Sequence, residues 1–389
     1  MMRSSGAGAV LVHTGGPTPV INASLLGVWE EARKHPEIGP LWGARFGFDG
    51  VLREDFIDLS GQAAELMNAV GRTPSSALGT SRRELAEEDL QRIIAILRAR
   101  EIRFLFSTGG NGSMETARLL WNMVRESNRE LQIVGIPKTI DNDLMETHHT
   151  PGYGSTARFF ACAARDIGAD NRALPGQVEF IEVLGRNVGW LAAATSLARR
   201  GPEDAPHLIY FPERRLLIQQ LLDDVHRVYS KLNRCVVAVC EGQLDEHGQP
   251  FGADVRSGSR GSLAMNLAHR LAMLVSKRLR IRARSEKPGL LGRASAASIS
   301  ERDWAESRLC GQRAVLAAIQ EQGGNMVTLL EPHPGQPPET GLASLDRVAL
   351  LERRFPEEWR NEPGNDVTPE FRNFIEPLTG EVPLFQELR

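Results

Sequence analysis

The chain has 389 residues, of which 41% are hydrophobic and 24% charged, enough for two lobes with separate hydrophobic cores. Its formal net charge of −3 gives no overall reason to expect a nucleic-acid partner. Without a long apolar run or a signal-peptide core, and with four isolated cysteines, the sequence predicts a cytoplasmic protein with reduced thiols and no membrane partner.

Short apolar runs alternate with longer amphipathic runs along most of the chain. In chain order, they predict a strand at 8–13, helices at 21–34 and 86–100, a strand at 102–108, a helix at 113–127, a strand at 131–137 and a helix at 155–168. Three further strands are predicted at 177–185, 207–211 and 234–242. Such alternation is typical of parallel sheets covered by helices, so the predicted fold class is α/β.

The last part of the chain has a different composition. From Glu331 the sequence becomes irregular and rich in proline, which favours a C-terminal extension packed on the body over a further domain. A lobe boundary is only weakly marked, near residues 150–175. One basic stretch, Lys277–Arg284 (KRLRIRAR), is typical of a solvated helix face or of a local binding surface.

Three loops at predicted strand ends have residues suited to phosphate binding. They are HTGGPTPVIN at 13–22, STGGNGS at 107–113 and GIPKTIDND at 135–143. Ligands of open α/β sheets bind beyond the carboxyl ends of the strands. Glycine lets the backbone approach an oxyanion, and the N-terminus of the following helix offers free N–H donors. One glycine pair is more often a plain turn, but pairs at successive strand ends indicate a polyphosphate held between two loop-to-helix junctions.

The loop PKTIDND brings together Lys138, Thr139, Asp141, Asn142 and Asp143. Of two carboxylates at a strand end, one can accept a proton while the other orients it or binds a metal ion. The lysine supplies a point charge for phosphate oxygens. The alternative is an ordinary turn rich in Asp and Asn, but such a turn does not need the lysine and the threonine.

Four arginines occupy predicted loop positions. Arg82 follows LGTS, Arg186 lies in EVLGRNVGW, and Arg284 and Arg293 flank KPGLLG. Guanidinium groups suit a sugar phosphate or a phosphoryl group in transfer. Any one of them is more often a surface charge, so this interpretation depends on their occurrence together with the glycine loops.

Together these segments resemble the phosphofructokinase family, in order, over about residues 8–330. The motifs that carry the resemblance are GGPTPVINAS, GFDGV, LGTSR, GGNGSMET, PKTIDND, PGYGSTARF, EVLGRNVGWLAAA, FPER, CEG, LLGRASA and SERDWAES. The resemblance is greatest to the branch that bears PKTIDND, which contains pyrophosphate-dependent and ATP-dependent enzymes. It implies two Rossmann-like lobes with parallel-sheet cores and the active site in the cleft between them.

The resemblance also implies a domain organisation and a reaction. Residues 8–150 would bind the phosphoryl donor, 151–330 would bind the sugar phosphate, and 331–389 would form the C-terminal extension. The reaction would be Mg²⁺-dependent phosphoryl transfer to the 1-hydroxyl of fructose 6-phosphate, which gives fructose 1,6-bisphosphate in glycolysis. The enzyme would be a homodimer or a homotetramer.

The family's functional residues map onto this sequence in three groups. The catalytic group would comprise Asp141 as the general base, with Asp143, Thr139, Lys138 and Arg82. The donor-binding group would comprise Gly15, Gly16, Gly109, Gly110, Asn111, Gly112 and Ser113. The sugar-phosphate group would comprise Leu184, Gly185, Arg186 and Glu241, with Arg284 and Arg293 reaching the 6-phosphate from a neighbouring subunit. Asn111 and Asp143 would bind Mg²⁺.

Several residues on the acceptor side depart from the family pattern. Leu184 replaces a usual Met, Asn187 a usual His, Gly292 a usual Gln, Leu290 an aromatic residue or His, and Gln177 a basic residue. The loss of a charged phosphate contact removes about 1.5–3 kcal/mol of binding free energy. These departures leave the phosphoryl-transfer residues intact but open two alternatives, another acceptor such as sedoheptulose 7-phosphate and a weakly active, phosphometabolite-binding homologue.

Two residues give opposite indications about the donor. Lys138 favours pyrophosphate, because strictly ATP-dependent bacterial relatives usually have Gly there. Gly112 favours ATP, because pyrophosphate users generally have an Asp whose bulk and charge would collide with the α-phosphate of ATP. Asn111, in place of a frequent Asp, is a neutral and weaker Mg²⁺ ligand. The steric effect is the more direct, so the sequence slightly favours ATP, with a pyrophosphate-dependent phosphotransferase as the alternative.

A kinase of the diacylglycerol or NAD type also uses a glycine-rich loop but would not account for the later arginine loops. Glu213, in FPER, lies where some relatives have an effector-site glutamate, and the alternative is a surface residue at a strand end.

Overall fold

The computed structural model describes residues 6–125, 130–251, 266–333, 336–349, 351–383 and 385–386. The chain divides into two compact units, Met1–Tyr153 with Arg293–Arg353, and Gly154–Gly292 with Arg354–Arg389. Residues 293–330, which the sequence analysis assigned to the second lobe, therefore lie in the first unit. No helix among the described residues is long and apolar enough to cross a membrane. Each of the four cysteines has a free thiol.

The described strands include the six that the apolar runs predicted, close to their predicted positions, and five more that were not predicted. In chain order they are β1 (Ala7–His13), β2 (Ile38–Ala44), β3 (Phe56–Asp58), β4 (Ile102–Gly109), β5 (Gln132–Pro137), β6 (Gln177–Val183), β7 (Leu208–Tyr210), β8 (Arg234–Cys240), β9 (Arg282–Glu286), β10 (Asn325–Leu329) and β11 (Thr340–Ser344).

The helices alternate with these strands. They are α1 (Ile21–Ala32), α2 (Phe48–Arg53), α3 (Ala64–Gly71), α4 (Glu87–Ala99), α5 (Asn111–Arg125), α6 (Tyr153–Ala173), α7 (Trp190–Ala194), α8 (Ile218–Leu232), α9 (Leu267–Leu279), α10 (Glu301–Ile319), α11 (Leu345–Val348) and α12 (Pro369–Thr379). The basic stretch Lys277–Arg284 spans the end of α9 and the start of β9, so it does not form one helix face.

The sheet of the first unit has, in its described part, the strand order β11-β10-β5-β4-β1-β2-β3. The neighbours from β10 to β2 pair in parallel, whereas the edge strands β11 and β3 pair antiparallel. The sheet of the second unit has the order β7-β8-β6-β9 and is parallel throughout its described part. Parallel strands joined through helices confirm the α/β fold predicted from the alternation.

Both faces of the first sheet are buried. On β1, Val10 and Val12 belong to one core cluster, while Ala9 and Leu11 belong to the other. Helices α4 and α5 contribute side chains to the first cluster, and α1 and α10 contribute to the second. Alternate residues of a strand point to opposite faces. A strand covered on both faces therefore reads as a continuous apolar run, which is why β1, β4 and β5 were recognisable in the sequence.

Two glycines allow α1 and α10 to pack backbone against backbone. A Cβ added to Gly27 would lie 1.9 Å from the carbonyl oxygen of Arg308, and one added to Gly311 would lie 2.1 Å from that of Ser24. No real side chain tolerates such distances, so both positions require glycine at this helix separation. The tight contact fixes α1, and therefore the loop that precedes it, against the sheet.

We expect Gly311→Ala to destabilise the protein by about 1–3 kcal/mol, because the added methyl group forces the two helices apart. Alanine's higher helix propensity opposes this by about 1 kcal/mol, so the observed loss understates the packing cost. Urea unfolding followed by circular dichroism measures the effect. Gly201→Ala is the matched control, since a Cβ there would have no atom within 4 Å. Equal stability of the two variants would contradict the packing account.

In the second unit, an aromatic cluster joins the last part of the chain to α7. Trp190 makes edge contacts with Phe355 and Trp359, with ring centroids 5.2 and 5.8 Å apart. Phe355 also stacks on Phe211 at 5.2 Å. Such pairs add to the free energy gained by burying the rings. Residues in the C-terminal part therefore contribute to the folded core, including β11 in the first unit and α12 in the second.

Candidate active site

The three glycine- and charge-rich loops leave the same edge of the first sheet. Strands β5, β4 and β1 are direct neighbours, and the register pairs His13 with Thr108 and Gly109 with Pro137. All three strands run parallel, so their carboxyl ends lie at one edge. The structure thus brings together the donor and catalytic residues that the sequence predicted there, all within the first unit.

Lys138 supports the backbone of the first loop, residues 13–22. Its Nζ donates hydrogen bonds to the carbonyl oxygens of Thr14 at 3.0 Å and Gly16 at 2.6 Å, and the residue is 3% exposed. Gly15 has φ +80°, a left-handed conformation that favours glycine. The buried ammonium therefore fixes the path of the backbone on both sides of Gly15.

Two arginines approach the same loop. A Cβ built on Gly16 would lie 3.1 Å from Nη1 of Arg293 and 3.2 Å from Nη2 of Arg82. The pKa of Lys138 is lowered to about 8, chiefly by burial; the charges of Asp141 and Asp143 act to raise it, and those of Arg82 and Arg293 act to lower it. Three cations this close repel one another, and an anion placed among them relieves that repulsion. The arrangement is suited to a polyphosphate.

Protein packing constrains the three glycines near the start of α5 to different degrees. A Cβ on Gly109 would lie 1.8 Å from Oγ of Ser113 and 2.9 Å from Oγ1 of Thr14, so protein packing alone demands glycine there. A Cβ on Gly110 would make ordinary contacts with Lys138 and Thr139 at 3.5 and 3.6 Å. A Cβ on Gly112 would meet no atom within 4 Å. The family resemblance implied donor binding for all three glycines, and the structure also gives Gly109 a packing role.

The threonine hydroxyl holds the TIDND loop in shape. Oγ1 of Thr139 accepts a hydrogen bond from the backbone N–H of Asp141 at 3.1 Å and also bonds to the Asp143 carboxylate. Asn142, which lies between the two aspartates, is buried and has φ +56°, a conformation that Asn tolerates better than most residues. Thr139 was predicted to contact the transferred phosphoryl group. Its hydroxyl also positions the two aspartates.

Asn111 and Asp143 lie side by side. Nδ2 of Asn111 donates a hydrogen bond to Oδ2 of Asp143 at 2.9 Å. Burial raises the pKa of Asp143, while the hydrogen bonds from Thr139 and Asn111 act in the opposite direction. The remaining acceptors, Oδ1 of Asn111 and Oδ1 of Asp143, are buried and have no hydrogen-bond partner in the protein.

These two oxygens fit a hard divalent cation. Mg²⁺ prefers oxygen ligands and is usually held by one or two protein carboxylates together with substrate phosphates. Among the described residues, no group of three or more His, Cys, Asp or Glu side chains forms a metal site of its own. A cation bound at Asn111 and Asp143 therefore needs further ligands from a phosphate donor or water.

The acceptor-side residues lie at one edge of the second unit's sheet. Gly185 (φ +137°) and Arg186 (φ +48°) follow β6, and Glu241 follows the adjacent strand β8. A Cβ on Gly242 would lie 1.4 Å from the carbonyl oxygen of Arg186, so the CEG motif needs glycine for the two loops to meet. Burial, and secondarily the neighbouring Glu182, raise the pKa of Glu241.

Arg284 lies within β9, away from the strand ends that carry these residues, and Arg293 belongs to the first unit. Arg284 on β9 pairs with Glu179 on β6, four residues before that strand ends at Val183, or roughly 13 Å at 3.3 Å per residue. Arg293 was implied to serve a neighbouring subunit, but its guanidinium lies beside Gly16 of its own chain, within the first unit. The assignment of Arg284 to a neighbouring subunit's site stays a prediction.

Some acceptor-side departures have a local structural reason. A Cβ on Gly292 would lie 2.7 Å from the ring of Phe160, so a larger residue there requires that ring to move. Gln177 is 1% exposed and donates to Glu179 at 3.0 Å. Leu290 is 62% exposed. Gln177 and Gly292 are packed against other protein groups. Neither one therefore only replaces a phosphate-binding side chain at an exposed position.

Glu213 has a structural role in the second unit. Its Oε1 accepts hydrogen bonds from the backbone N–H groups of Gly189 and Phe355, both at 2.9 Å. Burial raises its pKa. This carboxylate thus supports the loop after Arg186 and the start of the second unit's C-terminal segment. Glu213 is therefore more than a surface residue at a strand end, and its role as an effector-site ligand stays a prediction.

Thr14 is a further residue of the site, which the sequence motifs did not predict. Its carbonyl oxygen accepts from Lys138, and its hydroxyl donates to Ser113, which ties the first loop to the second. The signal was present in the HTGG motif, because a hydroxyl residue between a buried strand and a glycine pair is available to bond across the loops.

Known proteins resemble this chain over nearly its whole length. The family model described as phosphofructokinase matches residues 9–318. A pyrophosphate–fructose 6-phosphate 1-phosphotransferase from Rhodospirillum rubrum is 36% identical over 387 residues, 95% of this chain and 94% of that protein. A protein of the same name from Xanthomonas campestris is 34% identical over 96% of this chain and 91% of its own length. The crystal structure of pyrophosphate-dependent phosphofructokinase from Nitrosospira multiformis matches with a TM-score of 0.89 at 30% identity, covering 98% of this chain and 94% of that one.

Proposed function

The chain belongs to the phosphofructokinase family, as its motifs predicted, and from that membership we propose that it transfers a phosphoryl group from pyrophosphate to the 1-hydroxyl of fructose 6-phosphate. The products are fructose 1,6-bisphosphate and phosphate. The observation that carries the proposal is the convergence of Lys138, Arg82 and Arg293 on the Gly15–Gly16 loop, next to the Asp141 loop.

In the proposed mechanism, Asp141 accepts the proton of the sugar's 1-hydroxyl as that oxygen attacks the nearer phosphorus of pyrophosphate. The bond from that phosphorus to the bridging oxygen breaks, and the leaving phosphate carries away the electron pair. Lys138 and Arg82 neutralise the charge on the donor oxygens. Phosphoryl transfer depends on positioning and charge neutralisation more than on covalent catalysis, so these residues supply most of what the reaction needs.

Mg²⁺ is proposed as the cofactor. Asn111 and Asp143 would hold it through their unpartnered Oδ1 atoms, with donor oxygens as further ligands. When bound, it would offset negative charge on the donor. The hydrogen bond between Asn111 and Asp143 keeps both side chains oriented for this role.

The choice of pyrophosphate reverses the slight preference for ATP that Gly112 gave. Open space at Gly112 removes an obstacle to ATP but contributes no contact that binds it. Lys138, in contrast, contributes a buried cation at the donor loop. The relatives that are 36% and 34% identical are named for pyrophosphate, which supports the same choice.

We expect Gly112→Asp to change kcat/KM for pyrophosphate by less than about tenfold while weakening ATP binding at least tenfold, because the new carboxylate repels the additional phosphate of the nucleotide. The side chain enters open space, so folding should be unaffected. ATP affinity is measured as its competitive inhibition constant against pyrophosphate, which does not require ATP to be a substrate. Gly112→Ala is the control without the charge. Equal losses for both donors in the Asp variant would contradict this account.

The test of the proposed function is a set of parallel initial-rate assays. Purified protein with Mg²⁺ is supplied with pyrophosphate or ATP, and with fructose 6-phosphate or sedoheptulose 7-phosphate. We expect the highest kcat/KM for pyrophosphate with fructose 6-phosphate. Failure to form fructose 1,6-bisphosphate with either donor would overturn the proposal. A homodimer or homotetramer remains the predicted assembly, to be measured by light scattering.

A further inference from the structure

The segment from Asp141 to His149 contains the predicted base but lies outside the regular helices and strands. Two of its residues, Asn142 and Glu146, have the left-handed φ angles +56° and +64°. Such a segment cannot pair its carbonyl groups in a helix or sheet, and buried carbonyls without partners are costly. Its geometry must therefore be fixed by contacts from elsewhere in the chain.

One residue far along the sequence satisfies three of these carbonyls. The backbone N–H of Arg353 donates to the carbonyl oxygen of Asp143 at 2.8 Å. Nη1 of the same residue donates to the carbonyl oxygen of His148 at 2.7 Å and also to that of Thr147. Arg353 thus bridges both ends of a six-residue stretch within the first unit.

The far end of the segment is held separately, from α10. His149 bonds to Glu306 through Nε2 at 2.6 Å, and the backbone N–H of Gly152 donates to Asp303 at 2.8 Å. Thr147 and His148 also bond to Leu329 of β10, and Glu146 pairs with Arg347. Among these long-range contacts, those of Arg353 and Asn111 reach the backbone carbonyl of Asp143 itself. The guanidinium of Arg353 also interacts electrostatically with Asp143.

We propose that Arg353 is a positioning residue that holds the Asp141–Asp143 loop in its reactive geometry through the carbonyls of Asp143, Thr147 and His148. The inference rests on the proposed function for its catalytic consequence. Arginine suits this task because Nη1 of its planar guanidinium holds its N–H donors in fixed directions, whereas lysine offers a flexible point charge. The bond to the carbonyl oxygen of Asp143 comes from the backbone N–H and does not depend on the side chain. Arg353 lies beyond residues 9–318, the part of the chain that matches the family model.

The test compares Arg353→Met and Arg353→Lys with the wild type and with Arg354→Met, the control at the exposed neighbouring arginine. We expect Arg353→Met to lower kcat by roughly tenfold or more while KM for both substrates changes less than about threefold, because small displacements of a catalytic group slow the reaction without removing substrate contacts. Arg353→Lys should recover part of the loss. Arg354→Met should match the wild type.

Amide hydrogen exchange provides a readout that does not depend on activity. In Arg353→Met and Arg353→Lys, the amides of 141–149 should exchange faster than in the wild type, while those of β1 and β4 stay protected. Unchanged exchange in this segment in the Lys variant, or kcat equal to that of the wild type in both variants, would overturn the inference. If the wild-type protein were inactive, the proposed function would be rejected. The hydrogen-exchange rates of 141–149 would still decide whether Arg353 holds this segment.

Discussion

Asp141→Asn is expected to lower kcat by about 10²–10⁴-fold, the usual contribution of a general base. The amide has nearly the same size and can keep the backbone hydrogen bond between the Asp141 N–H and Thr139. It cannot accept the proton of the sugar hydroxyl. We therefore expect KM for both substrates to remain within about threefold of the wild type, because substrate contacts persist while transition-state stabilisation is lost.

The control for this variant is Asp223→Asn, which makes the same chemical change at an exposed residue of α8. It should retain full activity. Steady-state kinetics give the result, and a thermal melt confirms that the variant is folded. If kcat of the folded Asp141→Asn protein decreased by less than tenfold, the proton acceptor would be another group.

Lys138→Met is expected to lower kcat/KM for pyrophosphate by about a hundredfold, since a hydrogen bond to a charged group contributes about 1.5–3 kcal/mol. The change also removes the hydrogen bonds to the carbonyl oxygens of Thr14 and Gly16, so the first loop loses its support. The effect should appear for every phosphoryl donor, because the ammonium acts on charge common to all of them. Initial rates at varied pyrophosphate concentrations measure it.

Lys34→Met serves as the control, because Lys34 lies on the surface with its side chain 59% exposed. The melting temperature of Lys138→Met must be close to that of the wild type, so that a loss of activity reports donor binding and not unfolding. Loss of stability without loss of kcat/KM in the remaining folded protein would contradict the role of Lys138 in donor binding.

The lowered pKa of Lys138 also predicts that kcat/KM for pyrophosphate depends on pH. Burial lowers this pKa to about 8, so the free enzyme loses the positive charge as pH rises through that value. The charge favours phosphate binding, so kcat/KM for pyrophosphate should decrease above about pH 8 in the wild type. kcat/KM reports groups of the free enzyme, and the pH dependence should be absent from Lys138→Met.

Much of the fold could be predicted because its central strands are buried on both faces. β1, β4 and β5 appear in the sequence as short apolar runs that end in glycine or polar loops. The rule that ligands bind at the carboxyl ends of parallel strands pointed to the loops that follow them. That the three strands are direct neighbours is shown by the structure. β2 was harder to predict because IGPLWGA contains two glycines and a proline and is only partly buried.

The missed features depend on contacts between residues distant in sequence. Gly109 looks like a phosphate-binding glycine, and only the structure shows that Ser113 leaves no room for a side chain there. Arg353 carries no local signal, because its partners lie about 200 residues earlier in the chain. Arg293 was assigned by resemblance to another subunit's site, since the sequence does not tell which loop its guanidinium reaches.

The most direct test of the proposed function is a competition in one tube. The purified chain is mixed with Mg²⁺, fructose 6-phosphate and equal concentrations of pyrophosphate and ATP, and the phosphorus species are followed by ³¹P NMR. We predict that the pyrophosphate signal disappears as phosphate and fructose 1,6-bisphosphate form in equal amounts, while the three ATP resonances stay constant. Conversion of ATP to ADP with pyrophosphate unchanged, or no consumption of either donor, would contradict the account.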